Sequence, residues 1–143
     1  MTKQYIITDP VYILPKNIWT ECLNKTYSAS SPFDNALFIS LVEQSLSEYT
    51  SNKAFVSVTG YGDWVNHLWD NNSECIGQFC SDSGLVCICE CTEEVANKMK
   101  TIPNCGVVFD TKSEVTVGFD TKNPNWTVIN IFTNDDCWTT DAE

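Results

Sequence analysis

At 143 residues, 43% hydrophobic and 12% aromatic, the chain is long enough to bury a core of its own and too apolar to be disordered throughout. Eight lysines and no arginine stand against 19 acidic residues, a formal net charge of −11. Without the guanidinium fork that grips phosphate and reads guanine edges, direct nucleic-acid binding is not expected. The N-terminal stretch breaks at Asp9-Pro10 and again at Pro15, and no run approaches the roughly 18 apolar residues needed to span a bilayer, so neither export nor membrane insertion is expected. The eight cysteines are then read as reduced thiols of a cytosolic protein rather than as a disulfide framework.

In chain order, Tyr5–Thr8 reads as a strand and Val11–Leu14, after the Asp9-Pro10 turn, as a second extended piece. Pro15 opens a short amphipathic helix with Ile18, Trp19, Cys22 and Leu23 on one side. Ser31 as N-cap, Pro32 at the first helical position and Asp34 at capping-box spacing introduce one long helix. Phe33, Leu37, Phe38, Leu41, Val42, Leu46 and Tyr49 recur at helical spacing along it, while Asp34, Asn35, Glu43, Gln44, Ser47 and Glu48 take the other side. Ala54–Thr59 is a strand, and the Trp- and Asn-rich stretch Trp64–Glu74 reads as a loop. Ile76–Cys80 and Leu85–Cys91 are strands about the turn Ser81-Asp82-Ser83-Gly84, and Thr92 caps a short helix ending at Lys100. Val107–Asp110 and Glu114–Phe119, each ending in Phe-Asp-Thr-Lys, read as a hairpin; in the second, Val115, Val117 and Phe119 alternate with polar or small residues. Trp126–Thr133 is the last expected strand. The resulting expectation is one α+β domain over residues 1–133, a mainly antiparallel sheet packed against the long helix with one or two short helices, followed by an acidic tail over residues 134–143.

The stretch LVCICEC puts Cys87, Cys89 and Cys91 on one face of a strand, ~6.5–7 Å apart. Tetrahedral zinc draws its sulfurs to ~2.3 Å from one centre, which successive same-face positions of a straight strand do not supply. Val86 and Ile88 make the other face apolar as well, so the cysteines are read as small hydrophobes of a central strand, and no metal or other cofactor is expected. His67, the only histidine, lies in the expected loop with no local signature pairing it to a thiol. Asp9, Asp63 and Asp82 sit at turns, where an aspartate serves its own backbone; together they are also the one carboxylate set that a metal-dependent hydrolase could use. Tyr61, Trp64 and Trp69, set among Gly, Asn and Asp, are candidate binding anchors, since Trp and Tyr dominate interface hot spots.

The stretches DPVYIL (Asp9–Leu14), GYGDW (Gly60–Trp64), SDSGLVCI (Ser81–Ile88) and NWTVINI (Asn125–Ile131) resemble a group of small uncharacterised proteins of phage and bacterial genomes carrying ITDPCY…GYGDG…VDSG patterns. Val11 stands where the pattern has Cys, and Trp64 where it has Gly. The resemblance implies a β-rich cytosolic protein of a bacterial host cell or its phage and supplies no catalytic residue; small acidic phage proteins of this kind often counter host defences. The reading is therefore a non-enzymatic interaction protein, an inhibitor that binds a basic surface of a bacterial defence protein, with Tyr61, Asp63, Trp64, Trp69, Asp9, Tyr12 and Asp82 as candidate contacts. The alternative is a protein that sequesters a nucleotide signal, its phosphates on lysines or at the helix N-termini near Pro32 and Glu93.

Overall fold

The computed structural model describes residues 3–59, 64–121 and 127–141. Among these are nine strands, β1 (Lys3–Thr8), β2 (Phe55–Val58), β3 (Trp64–Asp70), β4 (Cys75–Ser81), β5 (Leu85–Glu90), β6 (Val107–Thr111), β7 (Thr116–Thr121), β8 (Thr127–Phe132) and β9 (Cys137–Thr139). Three α-helices, α1 (Lys16–Ala29), α2 (Asn35–Thr50) and α3 (Glu93–Met99), and a 3-10 turn at Pro10–Tyr12 complete the set. The α+β class holds, with a correction: the strands form two antiparallel sheets, ordered β2-β5-β1-β6 and β4-β3-β9-β8-β7, not one.

Three layers follow from period-2 alternation on the first sheet. Ile6, Val56, Cys87 and Cys89 face the helices and bury Phe38, Val42 and Leu46 of α2. Tyr5, Ile7, Val86, Ile88, Val107 and Phe109 face the other way and meet Leu68, Phe79, Ile129, Ile131 and Trp138 of the second sheet. β5 is therefore buried on both faces, Cys87 and Cys89 fully. Its thiols fill the helix-to-sheet core as small apolar groups.

Several local expectations change for physical reasons. α2 begins at Asn35, because Asp34 is the better N-cap: its carboxylate accepts from the Leu37 amide at 3.1 Å, leaving Ser31 and Pro32 in the connection. Val11–Leu14 is not extended; Asp9 caps a 3-10 turn there. α1 runs for 14 residues and is not short. The polar side of α2 is not all solvent-facing either. Glu43 accepts from the Val56 amide at 3.0 Å and Ser47 from the Ala54 amide at 3.0 Å, so α2 anchors the start of β2.

The largest corrections concern which segments are strands. Trp64–Asp70 is β3, not a loop: Trp64 and Leu68 point into the core while Val65 and His67 are exposed. The loop shrinks to residues 71–74, where the Asp70 carboxylate accepts from the amides of Asn72 at 2.9 Å and Glu74 at 3.0 Å. β6 and β7 form no hairpin, since β6 pairs with β1 in the first sheet and β7 with β8 in the second. The segment expected as an acidic tail supplies β9, which lies between β3 and β8 at the centre of the second sheet.

Thiol reactivity provides a test of this layering. Burial pushes the Cys91 thiol up to about 11; burial and, next, a hydrogen bond with Cys105 push Cys80 up to about 11. Cys75 is exposed, whereas Cys22, Cys87 and Cys89 are buried. Only the thiolate reacts, so at pH 8 Cys80 and Cys91 present roughly a hundredth or less of the thiolate of an unperturbed cysteine. Alkylation of the folded protein followed by peptide mapping is expected to label Cys75 first, Cys80 and Cys91 slowly, and the buried three only after unfolding. Rapid native labelling of Cys87 or Cys89 would contradict the buried-strand assignment.

Candidate functional site

Of the residues singled out from sequence, Asp9, Tyr12 and Asp82 do come together. The chain passes from the second sheet to the first through residues 82–84, between β4 and β5. Asp9, fully buried at the end of β1, holds that corner. Its Oδ1 accepts from the Val11 amide at 2.8 Å and the Ser83 hydroxyl at 2.7 Å; its Oδ2 accepts from the amides of Asp82 and Ser83, both at 2.7 Å. Ser81 Oγ is 3.3 Å from the same carboxylate but only 2.8 Å from the Leu85 carbonyl, and its single proton goes to the nearer acceptor. The exposed Asp82 carboxylate in turn accepts from Tyr12 Oη at 2.5 Å. Burial, then this bond, raises the Tyr12 phenol above its usual range, so it stays a donor. The cluster spends its hydrogen bonds on its own backbone and ties β1 to the turn. It is a structural lock.

The aromatic candidates part company. Trp64 turns inward and packs edge-on against Phe79, with ring centroids 5.5 Å apart. Trp69 lies on the opposite face, beside His67 at 6.2 Å between ring centroids. Tyr61 and Asp63 lie outside the described residues.

That opposite face is the outer face of the second sheet. The helices pack on the first sheet, and no described element forms a layer on the far side of the second, where Val128 is buried while Val65, His67 and Phe132 are exposed. The antiparallel register lines up Trp69, Thr139, Asn130 and Gly118 across four strands, with Cys137, Phe132 and Thr116 in a flanking row. Val65 is 61% exposed and Phe132 47%. A hydrogen-bonded chain crosses the face: Thr139 Oγ1 donates to Asn130 Oδ1 at 2.8 Å, and Asn130 Nδ2 donates to Asp120 Oδ2 at 3.3 Å. A shallow depression of about 390 Å³ lies against Asn130, Phe132, Cys137, Thr139 and Asp141.

The sequence reading missed Asn130, Phe132, Asp120 and Thr139. The alternation Ile129, Asn130, Ile131, Phe132 does assign the odd positions to the core. What it leaves open is whether the other face meets a further layer.

Charge is segregated to match. Among the described residues, the second sheet and its turns, 64–81, 116–121 and 127–141, carry six carboxylates (Asp70, Glu74, Asp120, Asp135, Asp136 and Asp141) and no lysine; Lys122 falls in the β7–β8 connection, outside the described residues. The other seven lysines lie elsewhere, several already engaged: Lys3 with Glu114, Lys25 with Glu21, and Lys98 with the Ile13 carbonyl at 2.7 Å. The helix N-termini considered for phosphate are occupied by their own acids, Asp34 at α2 and Glu93 and Glu94 in the first turn of α3. Comparison with protein-family models, with curated proteins and with solved structures finds no match.

Proposed function

We propose that this chain is a non-enzymatic interaction protein that covers a basic surface of another protein. The observation that carries this reading is the segregation of six carboxylates, with no lysine among the described residues, onto one sheet whose outer face no described element covers as a layer. A one-signed field of this kind accelerates encounter with a surface of the opposite sign and disfavours acidic partners. The same field disfavours phosphates. With Asp9 and Asp82 tied into a structural lock and acids at the N-termini of α2 and α3, the geometry supports a protein partner over a nucleotide or a metal-dependent reaction. Inhibition of a bacterial defence protein, as the sequence resemblance suggests, is the biological form of this proposal.

The test is kinetic. Immobilised protein exposed to bacterial lysate at low salt is expected to retain basic proteins that elute as salt rises. For a captured partner, the association rate should fall steeply between low and physiological ionic strength, where the screening length shortens to ~8 Å, while dissociation changes little. A partner whose association ignores salt, or a nucleotide as the retained species, would overturn the proposal.

A further inference from the structure

Gly118 occupies the middle of β7, opposite Asn130, on the outer face of the second sheet. Its backbone is not in the left-handed region, and a Cβ built there meets nothing within 4 Å. Neither conformation nor crowding accounts for a glycine at this position. A glycine inside a strand weakens it, and is commonly found where another chain approaches closely.

The surroundings of the gap are those of a recognition surface. On one side the Asp120 carboxylate is oriented by Asn130, itself oriented by Thr139. On the other, Phe132 is 47% exposed beside the 390 Å³ depression, and Trp69 closes the row beyond Thr139. Apolar area, an open backbone and a positioned carboxylate therefore lie side by side on a sheet whose described residues carry six carboxylates and no lysine. A second copy of the chain is a poor occupant, because stacking two such faces would bring together two sheets that each carry six carboxylates in their described residues, Asp120 of each on the face itself.

We propose that the outer face of the second sheet, centred on Gly118 and Asn130, docks a basic segment of a partner protein. A lysine or arginine of that segment pairs with Asp120, and an adjacent aliphatic or aromatic side chain lies over Gly118 against Phe132. This rests on the reading of the chain as an interaction protein and adds where the partner sits and what it must present.

The probe is a short synthetic peptide alternating lysine and leucine, with oligolysine of equal charge as the comparison, each titrated into isotope-labelled protein at low salt. Amide shifts induced by the alternating peptide are expected to concentrate on Trp69, Gly118, Asp120, Asn130 and Phe132, and those from oligolysine to spread over the acidic sheet. Gly118→Leu fills the gap without straining the strand. It should leave the melting temperature unchanged or higher, weaken the alternating peptide ~tenfold, and leave oligolysine binding within about twofold. Asp120→Asn should weaken the alternating peptide several-fold. Salt-dependent binding that Gly118→Leu does not weaken, or shifts concentrated on the helical layer, would overturn this docking face while leaving the basic-partner reading standing. Absence of salt-dependent binding to either probe would overturn both.

Discussion

Replacing Asp9 by alanine is expected to destabilise the protein by about 3 kcal/mol or more, although the residue carries no catalytic role in this reading. The substitution strands the amides of Val11, Asp82 and Ser83 and the Ser83 hydroxyl, all four of which donate to a carboxylate that is fully buried. An unsatisfied buried donor costs about 1–3 kcal/mol, and water entering at the partly exposed turn recovers a share of the total. Asp9→Asn keeps one acceptor but turns an NH2 group toward other donors, and is expected to fall between the wild type and alanine. Tyr12→Phe removes a bond at the exposed Asp82 carboxylate and should cost only about 0.5–1 kcal/mol. Urea unfolding at constant m-value measures all three. A loss below about 1 kcal/mol for Asp9→Ala would show that the corner between the sheets holds without its carboxylate.

The second large effect lies where the sequence reads as a tail. Trp138 is 7% exposed, stands 4.9 Å from Phe109 of the first sheet between ring centroids, and pairs with Asp70 on one side and Ile131 on the other. Trp138→Ala empties a ring-sized volume between the sheets and is expected to cost about 3–5 kcal/mol, a large part of the ~5–15 kcal/mol that holds a domain together. Ending the chain at Asn134 should do more. With β9 gone, β3 and β8 lose their shared neighbour, and the second sheet separates into the hairpins β3–β4 and β7–β8. Isolated hairpins are marginal, and their open edges invite aggregation. The truncated chain is expected to lack both a cooperative thermal transition and native near-ultraviolet dichroism. Retention of both would refute a central place for β9.

The proposed docking face depends on the same strand. Thr139, on the outer side of β9, donates to Asn130 and so helps set Asp120. Variants that loosen β9 will therefore weaken binding through folding, which is why Gly118→Leu, on the edge strand β7 with open space above it, is the cleaner probe of the face.

Local chemistry alone determined several elements: β1, β5 and α3, the two-sided burial of β5, and the turn at residues 82–84, each with its periodicity or cap written into adjacent residues. The amphipathic α2 was equally legible, apart from the rival caps Ser31 and Asp34, between which one hydrogen bond decides. Charge and the missing arginine, which set the class of partner proposed, are sums over the chain and need no structure. The division into two sheets was not legible. Alternation shows that a strand has a buried face but not which strand it pairs with, so β6 and β7 read as one hairpin although they belong to different layers. Asparagine and aspartate density disguised β3 as a loop, and three strand residues between acidic turns disguised β9 as a tail; both gain their stability from neighbours distant in sequence. The same limit governs function. Trp64 and Trp69 are alike in sequence, and only the packing of two sheets decides that one fills the core while the other stands on the outer face of the second sheet, because exposure is a property of what the rest of the chain leaves open.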